Sequence, residues 1–457
     1  MRYLKRIVSQ QRTMSNIQKI HFIGIGGIGM SALARMCLLA GKEVSGSDSS
    51  RSEITEALHA LGARVFYTQE AGNIGDDTAL VVRTLAIAEA NPELLEAKRR
   101  EIPVKTYPEF LGAISKGKYT IAISGTHGKT TTTGMIAEGA IAGGLDPTVV
   151  IGSLLKNARS NFIGGAGKYL IAEACEYKRS FLNLSPSVLV ITNIDNDHMD
   201  YYKDIADIQG AFAEFAAKLP EDGFLVCDAY DPLLAPVIAA TRARTVNYRN
   251  YFYPVQSRTL ASATLYGVDE KIALKVPGVH NKKNAAAALA ALDCLGVEPK
   301  IAREALGNFA GTWRRFEYKG ETKNGALVYD DYAHHPTEIK ATLRGAREMF
   351  PDKKIVVAFQ PHLYSRTKLL FDEFAASFAD ADEVFLAPIY AAREPHDPSV
   401  SLKTLAQKIA ENGTTAHATD NLEEITDAWR APLYGARHLL ITMGAGDVYG
   451  VGEGIVC

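Results

Sequence analysis

An apolar strand that runs into a glycine-rich turn and then directly into a helix occurs twice in this chain, and no other feature restricts the fold as much. The first instance is Lys19 to Gly24 (KIHFIG), followed by a helical pattern from about Ile28 to Ala40. The second is Tyr119 to Ser124, whose helix continues to about Ala142. Such units lay the helix back on its own sheet, and their repetition predicts an α/β fold with largely parallel sheets. Further strands are expected at Glu43 to Gly46, Ala79 to Val82, Val104 to Lys105, Tyr169 to Ala174 and Val188 to Thr192. After a polar stretch around Gly311 to Lys323 a third series begins. It has strands at Ala326 to Tyr329, Lys354 to Val357, Glu383 to Leu386 and His438 to Ile441, with helices Pro336 to Met349 and Leu369 to Phe378 between them.

At 457 residues the chain is too long for one core, and its length predicts about three domains. Boundaries are expected near residues 116 and 312, giving domains 1–116, 117–312 and 313–457, with 1–17 as a flexible tail in which Met14 is an alternative start. Lys and Arg number 50 against 52 Asp and Glu, a net charge of −2 that offers no long-range pull on nucleic acid. Anionic ligands must therefore be held by local devices. No apolar run reaches the length of a membrane span, and the basic first residues lack the apolar core of a signal peptide. The five cysteines are scattered without zinc spacing, as expected of reduced thiols in a cytoplasm. Neither nucleic acid nor membrane is an expected partner, and the expected state is a monomer or a homodimer.

The second glycine turn reads Gly125-Thr126-His127-Gly128-Lys129-Thr130-Thr131. Glycines let successive N–H groups and the helix N-terminus face an anion. Lys129 then reaches the outer phosphates of ATP, and the Thr130 hydroxyl is placed to ligate Mg²⁺. The G-x-x-G-K-T spacing is shorter than the common phosphate-loop pattern. The first turn supplies Gly24, Gly26, Gly27 and Gly29 as G-x-G-x-x-G, with Asp48 after the next strand. Taken alone this points to NAD and an oxidoreductase. That class leaves Lys129-Thr130 unexplained, so the two loops imply either two nucleotides or ATP together with a nucleotide-linked substrate.

Carboxyl ends of parallel strands carry active-site groups. Glu173 ends the strand YLIAEA and suits the Mg²⁺ of ATP, while His198 stands among Asp195, Asp197 and Asp200 as a candidate ligand for a second metal. Gly278 to Asn284 (GVHNKKN) opens an alanine-rich helix whose His280 is able to stack on a base. The third series offers Arg314-Arg315, the run Asp330-Asp331-Tyr332-Ala333-His334-His335-Pro336, and His362 with Arg366. Arginines there are candidate clamps for carboxylate or phosphate.

In this order the segments GIGGIGMSALA, GTHGKTTTT, EACEYKRSFL, TNIDNDHMDYY, PGVHNKKNAAAA, RRFE, DDYAHHPTEI, FQPHLYSRT and TMGAGD resemble the Mur ligases of peptidoglycan synthesis. The match runs from about Gln18 to Tyr449. It implies an N-terminal Rossmann-like domain that grips the UDP of a substrate through Gly24, Gly26, Gly27, Gly29 and Asp48. It further implies a central P-loop ATPase-like domain and a C-terminal Rossmann-like domain. The implied reaction joins L-alanine to the carboxylate of UDP-N-acetylmuramate, with ATP going to ADP and phosphate through an acyl phosphate. A sibling adding a recycled murein tripeptide or another amino acid is the alternative. By the same resemblance Lys129, Glu173, His198, Arg314, His334 and Arg366 form the catalytic group, and Thr130, Glu173 and His198 hold Mg²⁺. The ATP site is Gly125 to Thr131 with His280 and Asn284, and Tyr332, His334 and Arg366 form the amino-acid pocket. Two positions depart from the family pattern: Cys175 stands where an aspartate is common, and Leu363 where several relatives carry a basic residue. No position is assigned to the carbamylated lysine of other members.

Overall fold

A computed structural model describes residues 17–199, 201–253, 264–267, 270–392 and 394–457. Residues 1–16 of the expected tail, with Met14, lie outside the described residues, as does Asp200. The contacts divide the chain into two compact units. One runs up to Tyr253 and resumes at Asn284–Leu306; the other includes Ala273–Lys283 and Gly307–Cys457. The first unit carries two large sheets and the second carries one, a three-domain α/β architecture.

The first sheet is formed by β1 (Lys19–Ile23), β2 (Glu43–Ser47), β3 (Arg64–Phe66), β4 (Leu80–Arg83) and β5 (Val104–Thr106). Its order, β3-β2-β1-β4-β5, is parallel throughout and reverses direction at β1, which puts the first glycine loop at the switch point. The second sheet contains β6 (Tyr119–Ser124), β7 (Thr148–Leu155), β8 (Ser160–Ile163), β9 (Tyr169–Glu173), β10 (Val188–Ile191), β11 (Phe224–Cys227) and β12 (Arg244–Asn247). Its order is β12-β11-β10-β6-β9-β7-β8, with only β8 antiparallel. The phosphate loop leaves β6, flanked by β9 and β10, so the ends of three neighbouring strands meet there.

These two sheets share one hydrophobic core. Phe22, Leu33, Leu80 and Phe110 from the first cluster with Ala122, Leu189 and Phe212 from the second, all buried. The helix Ile28–Leu39 lies against β7 and β8, and the buried Asn161 of β8 donates to Ser31 Oγ at 2.8 Å and to the Ile28 carbonyl. A short three-stranded sheet, β13 (Phe252–Tyr253), β14 (Thr264–Gly267) and β15 (Glu270–Lys271), follows.

The second unit holds β16 (Glu317–Glu321), β17 (Leu327–Asp331), β18 (Lys354–Phe359), β19 (Glu383–Leu386), β20 (Thr415–Ala418) and β21 (His438–Met443) in the order β16-β17-β21-β18-β19-β20. Runs such as KIVVAF and HLLITM are apolar at nearly every position because both faces are covered. Ile355, Val357 and Phe359 enter one core; Val356 and Ala358 enter the other, beside the fully buried Trp429.

The parallel α/β expectation holds, with antiparallel β8 and β16 at sheet edges. The single helix expected over Leu369 to Phe378 is instead two short ones, Tyr364–Leu369 and Phe371–Ala375, broken at Leu370 with φ −107° and ψ 29°. Apolar periodicity does not report that hinge.

Gly112, on the helix Tyr107–Ser115, has no room for a side chain, since a Cβ would collide with the Asn183 carbonyl oxygen. Gly112→Ala should lower stability by about 1–3 kcal/mol through overpacking, read as a shift in the urea midpoint. Leu95→Ala, at a position 51% exposed, should stay within about 0.5 kcal/mol of the parent.

Candidate active site

Backbone conformation makes the phosphate loop glycine-dependent at two points. Gly125 sits at φ +126° and Gly128 at φ +83°, a region L side chains avoid. A Cβ on Gly125 would strike Thr192 Oγ1, and one on Gly128 would strike Asn284 Oδ1. The loop is therefore packed shut from two sides by Thr192 and the buried Asn284. Gly128 caps the helix Lys129–Ala142 with no side-chain hydrogen bond, which leaves the amides of its first turn to face a ligand.

The segment after β10 braces the loop from below. Thr192 Oγ1 donates to the His127 carbonyl at 2.6 Å, and Asn193 Nδ2 donates to the same oxygen at 3.0 Å. Asn193 Oδ1 accepts from His127 N at 3.0 Å, and Asp195 N donates to Thr126 Oγ1 at 2.9 Å. His127 Nε2 lies 3.1 Å from Asp195 Oδ2. Thr192 and Asn193 are thus loop-bracing residues that pattern reading does not select. Their place directly after an apolar strand was the available signal.

Lys129 donates to the Gly125 and Thr126 carbonyls at 2.6 and 2.9 Å, and both oxygens of Glu176 lie 3.0 Å from its Nζ. Burial alone would lower the lysine pKa; the Glu176 carboxylate, with Cys175 and Glu173 beside it, opposes this, and the ammonium titrates above its ordinary range. Burial likewise opposes the Glu176 charge, but Lys129 and then His198 hold that carboxyl below its usual value. His198 Nε2 is 3.5 Å from Glu176 Oε1, and its ring lies 4.8 Å from that of Tyr177. Thr130 Oγ1 donates to Glu173 Oε1 at 3.1 Å, while Glu173 Oε2 accepts from Gly152 N at 2.8 Å. A hydroxyl and a carboxylate side by side at a strand end are the hard oxygen donors a divalent cation prefers. The expected residues Lys129, Thr130, Glu173 and His198 therefore converge, with Thr131 buried in the same helix turn, and the structure adds Glu176 as the neighbour shared by Lys129 and His198.

In the first glycine loop, Gly24 at φ +82° and Ile25 both donate to the Ser47 carbonyl, at 2.8 and 2.9 Å. Asp48 Oδ2 accepts from Gly26 N at 2.8 Å, so this acid braces the turn itself. Gly27 is the helix N-cap, and a Cβ on Gly29 would lie 2.7 Å from the Tyr107 ring.

In the second unit Arg314 is turned inward. Its guanidinium donates to Asp330 Oδ2 at 2.8 Å and to the carbonyls of Gly446 and Gly444 at 2.9 and 2.6 Å, beneath the Tyr449 ring. It is 3% exposed and fixes the turn after β21, a placement different from the open substrate clamp expected of it. Tyr332, His334 and Arg366 do gather. Tyr332 and His334 rings are 5.5 Å apart, His334 is 5.8 Å from His362, and Arg366 donates to His362 Nδ1 at 3.3 Å. Tyr390, not singled out by sequence, stacks on His362 at 5.8 Å. The Asp331 carboxyl is pushed up to about 6 by burial, although Arg315 and the amides of Ala333 and Phe316 oppose the shift.

His280 and Asn284 lie one turn apart on the helix Val279–Cys294, but Asn284 belongs to the first unit and His280 to the second. His280 lines a cavity of about 340 Å³ with Thr337, Lys340 and Arg344. Desolvation pushes its imidazole down to about 4, so the ring is neutral at pH 7.

Three family descriptions match consecutive parts of the chain: "Mur ligase family, catalytic domain" over residues 19–119, "Mur ligase middle domain" over 123–292, and "Mur ligase, glutamate ligase domain" over 314–446. The chain is 44% identical over 447 residues to a UDP-N-acetylmuramate–L-alanine ligase of Clostridium acetobutylicum, covering 95% of this chain and 97% of that protein. A protein of the same description from Clostridium novyi is 44% identical over 448 residues, covering 96% and 97%. Among solved structures, the UDP-N-acetylmuramate–alanine ligase of Thermotoga maritima superposes with a TM-score of 0.79 at 30% identity, covering 95% of this chain and 97% of that one. A murein peptide ligase of Psychrobacter arcticus shares the fold, with a TM-score of 0.71 at 24% identity and the same coverage. From the glycine loop of β1 to the turn after β21, this chain belongs to the Mur ligase family.

Proposed function

We propose that the chain is an ATP-dependent ligase that joins L-alanine to the carboxylate of UDP-N-acetylmuramate, a step in making peptidoglycan precursors. The observation that carries this reading is the end-to-end likeness, 44% identity over 95% of the chain, to proteins bearing that activity in their names. The convergence of Lys129, Thr130, Glu173 and His198 at the ends of β6, β9 and β10 supports it independently. A cytoplasmic setting suits the five free cysteines, and no helix among the described residues is long and apolar enough to cross a membrane.

The chemistry follows from a poor electrophile. A carboxylate resists attack by an amine until one of its oxygens is phosphorylated. ATP supplies that phosphoryl group, and phosphate then leaves from the tetrahedral adduct with the alanine nitrogen. Negative charge gathers on the transferring oxygens, so fixed cations and N–H groups provide most of the acceleration. The loop amides of Gly125 to Thr131 hold the ATP phosphates, and Lys129 faces the outer ones. Thr130 and Glu173 would hold one Mg²⁺, and His198 a second. Such ions neutralise charge on the group in transfer. The loop Gly24 to Gly29, kept in shape by Asp48, receives the UDP diphosphate. By the family resemblance His280 and Asn284 are assigned to adenine, for which a neutral imidazole is a suitable stacking partner. Arg366 pairs with the alanine carboxylate beside Tyr332 and His334. Arg314 acts through the turn it holds and is a positioning residue.

Phosphate release with ATP, Mg²⁺ and UDP-N-acetylmuramate should be fastest with L-alanine, ahead of glycine, L-serine and the recycled tripeptide. Faster release with the tripeptide would transfer the chain to the peptide-adding branch. Lys129→Met should lower kcat by at least about a hundredfold, the loss typical of removing one transition-state donor, with circular dichroism unchanged. His198→Ala should reduce kcat by about a hundredfold and leave ATP affinity nearly intact. A variant changed only in ATP affinity would remove His198 from the transferring phosphate.

A further inference from the structure

We infer that Glu176 is a positioning residue that gives the Lys129 ammonium a resting place inside the phosphate loop, and thereby sets how tightly the loop takes nucleotide. The inference rests on the reading of this site as an ATP site.

An ammonium has three protons to give. Those of Lys129 go to the Gly125 carbonyl, the Thr126 carbonyl and the Glu176 carboxylate, at 2.6, 2.9 and 3.0 Å. A phosphate that recruits Lys129 must therefore displace at least one of these oxygens. Glu176 is the charged one, 2% exposed, and it is the only carboxylate within ion-pair distance of both Lys129 and His198 among the described residues. Out of water, a carboxylate and a phosphate compete strongly for one cation.

Glu176 is also held in place. Its carbonyl accepts from Tyr202 Oη at 2.6 Å and from Arg179 N at 2.9 Å. The next two non-aromatic positions, Lys178 and Arg179, take left-handed conformations at φ +51° and +54°, which turn the chain sharply behind it. The backbone of Glu176 is thus fixed, and the long lysine stem is the part with the greater reach. Two arrangements follow: Lys129 on Glu176 without nucleotide, and Lys129 on phosphate with it. A protein that must leave its resting arrangement binds with an apparent affinity reduced by the fraction already competent. Glu176 weakens ATP and ADP binding and lets product leave, whereas a merely structural brace would strengthen binding.

The test is direct binding of a non-hydrolysable ATP analogue with Mg²⁺ by calorimetry. Glu176→Gln should bind about tenfold tighter than the parent, and ADP should follow the same direction while kcat falls. Glu176→Asp, which draws the charge back by one methylene, should lie between the two and carries the test if the glutamine variant does not fold. In a Lys129→Met background, Glu176→Gln should leave affinity where Lys129→Met alone puts it. An equal gain in that background would mean that Glu176 acts on phosphate without Lys129, and would overturn the role. Unchanged or weaker binding by Glu176→Gln would overturn it too. Failure of the unaltered chain to bind the analogue would instead overturn the functional reading, and this inference with it.

Discussion

A lysine ammonium and a glutamate carboxylate held 3.0 Å apart and out of water survive only where the surroundings satisfy both. Around Lys129 and Glu176 that condition dictates much of the first unit. Two loop carbonyls must point at the ammonium, so the loop must curl; the curl requires left-handed glycines at 125 and 128. The glycines leave gaps that Thr192 and Asn284 fill, and Thr192 is itself positioned by β10. Each of these residues is intelligible once the buried pair is taken as given.

The same economy explains why the chemistry sits at strand ends. Backbone groups within a parallel sheet are spent on neighbours, and helices cover its faces. Free donors and acceptors appear only where strands stop. Glu173, Ser124 and Thr192 stand at the ends of β9, β6 and just past β10, and Ser124 Oγ ties two of these ends together by donating to the Ala174 carbonyl at 2.8 Å. In the second unit the turns after β17, β18 and β21 do the same, with Arg314 binding the last of them from within.

Much of this was legible in the residues because the relevant physics is local. Glycines before Lys129 and Thr130 dictate a phosphate-facing turn whatever lies around them, and apolar runs ending in Glu173 or leading to His198 mark strand ends. Glu176 escaped selection because it lies in an irregular turn, three residues beyond a strand, and its importance comes from partners 47 and 22 positions away. Asp48 was assigned to a ligand by motif, yet its carboxylate braces Gly26, a choice between two good partners that spacing does not decide. Arg314 shows the same limit. Whether an arginine faces a substrate or the interior depends on the Gly444 and Gly446 carbonyls, more than a hundred residues on. The break at Leu370 lies within an otherwise helical apolar period and leaves no mark on it.

Three non-glycine residues close to Glu176 are left-handed: Lys178, Arg179 and His198, the last at φ +55°. Each such conformation costs about 1 kcal/mol against an L residue's preference. Glycine would relieve that cost at any of them, so a search for sturdier variants of this enzyme would be drawn to these positions. It would also release the turns that aim Glu176 and His198. Thermal robustness and turnover are therefore set against each other within a few residues, and homologues adapted to heat would have to gain their stability elsewhere in the chain.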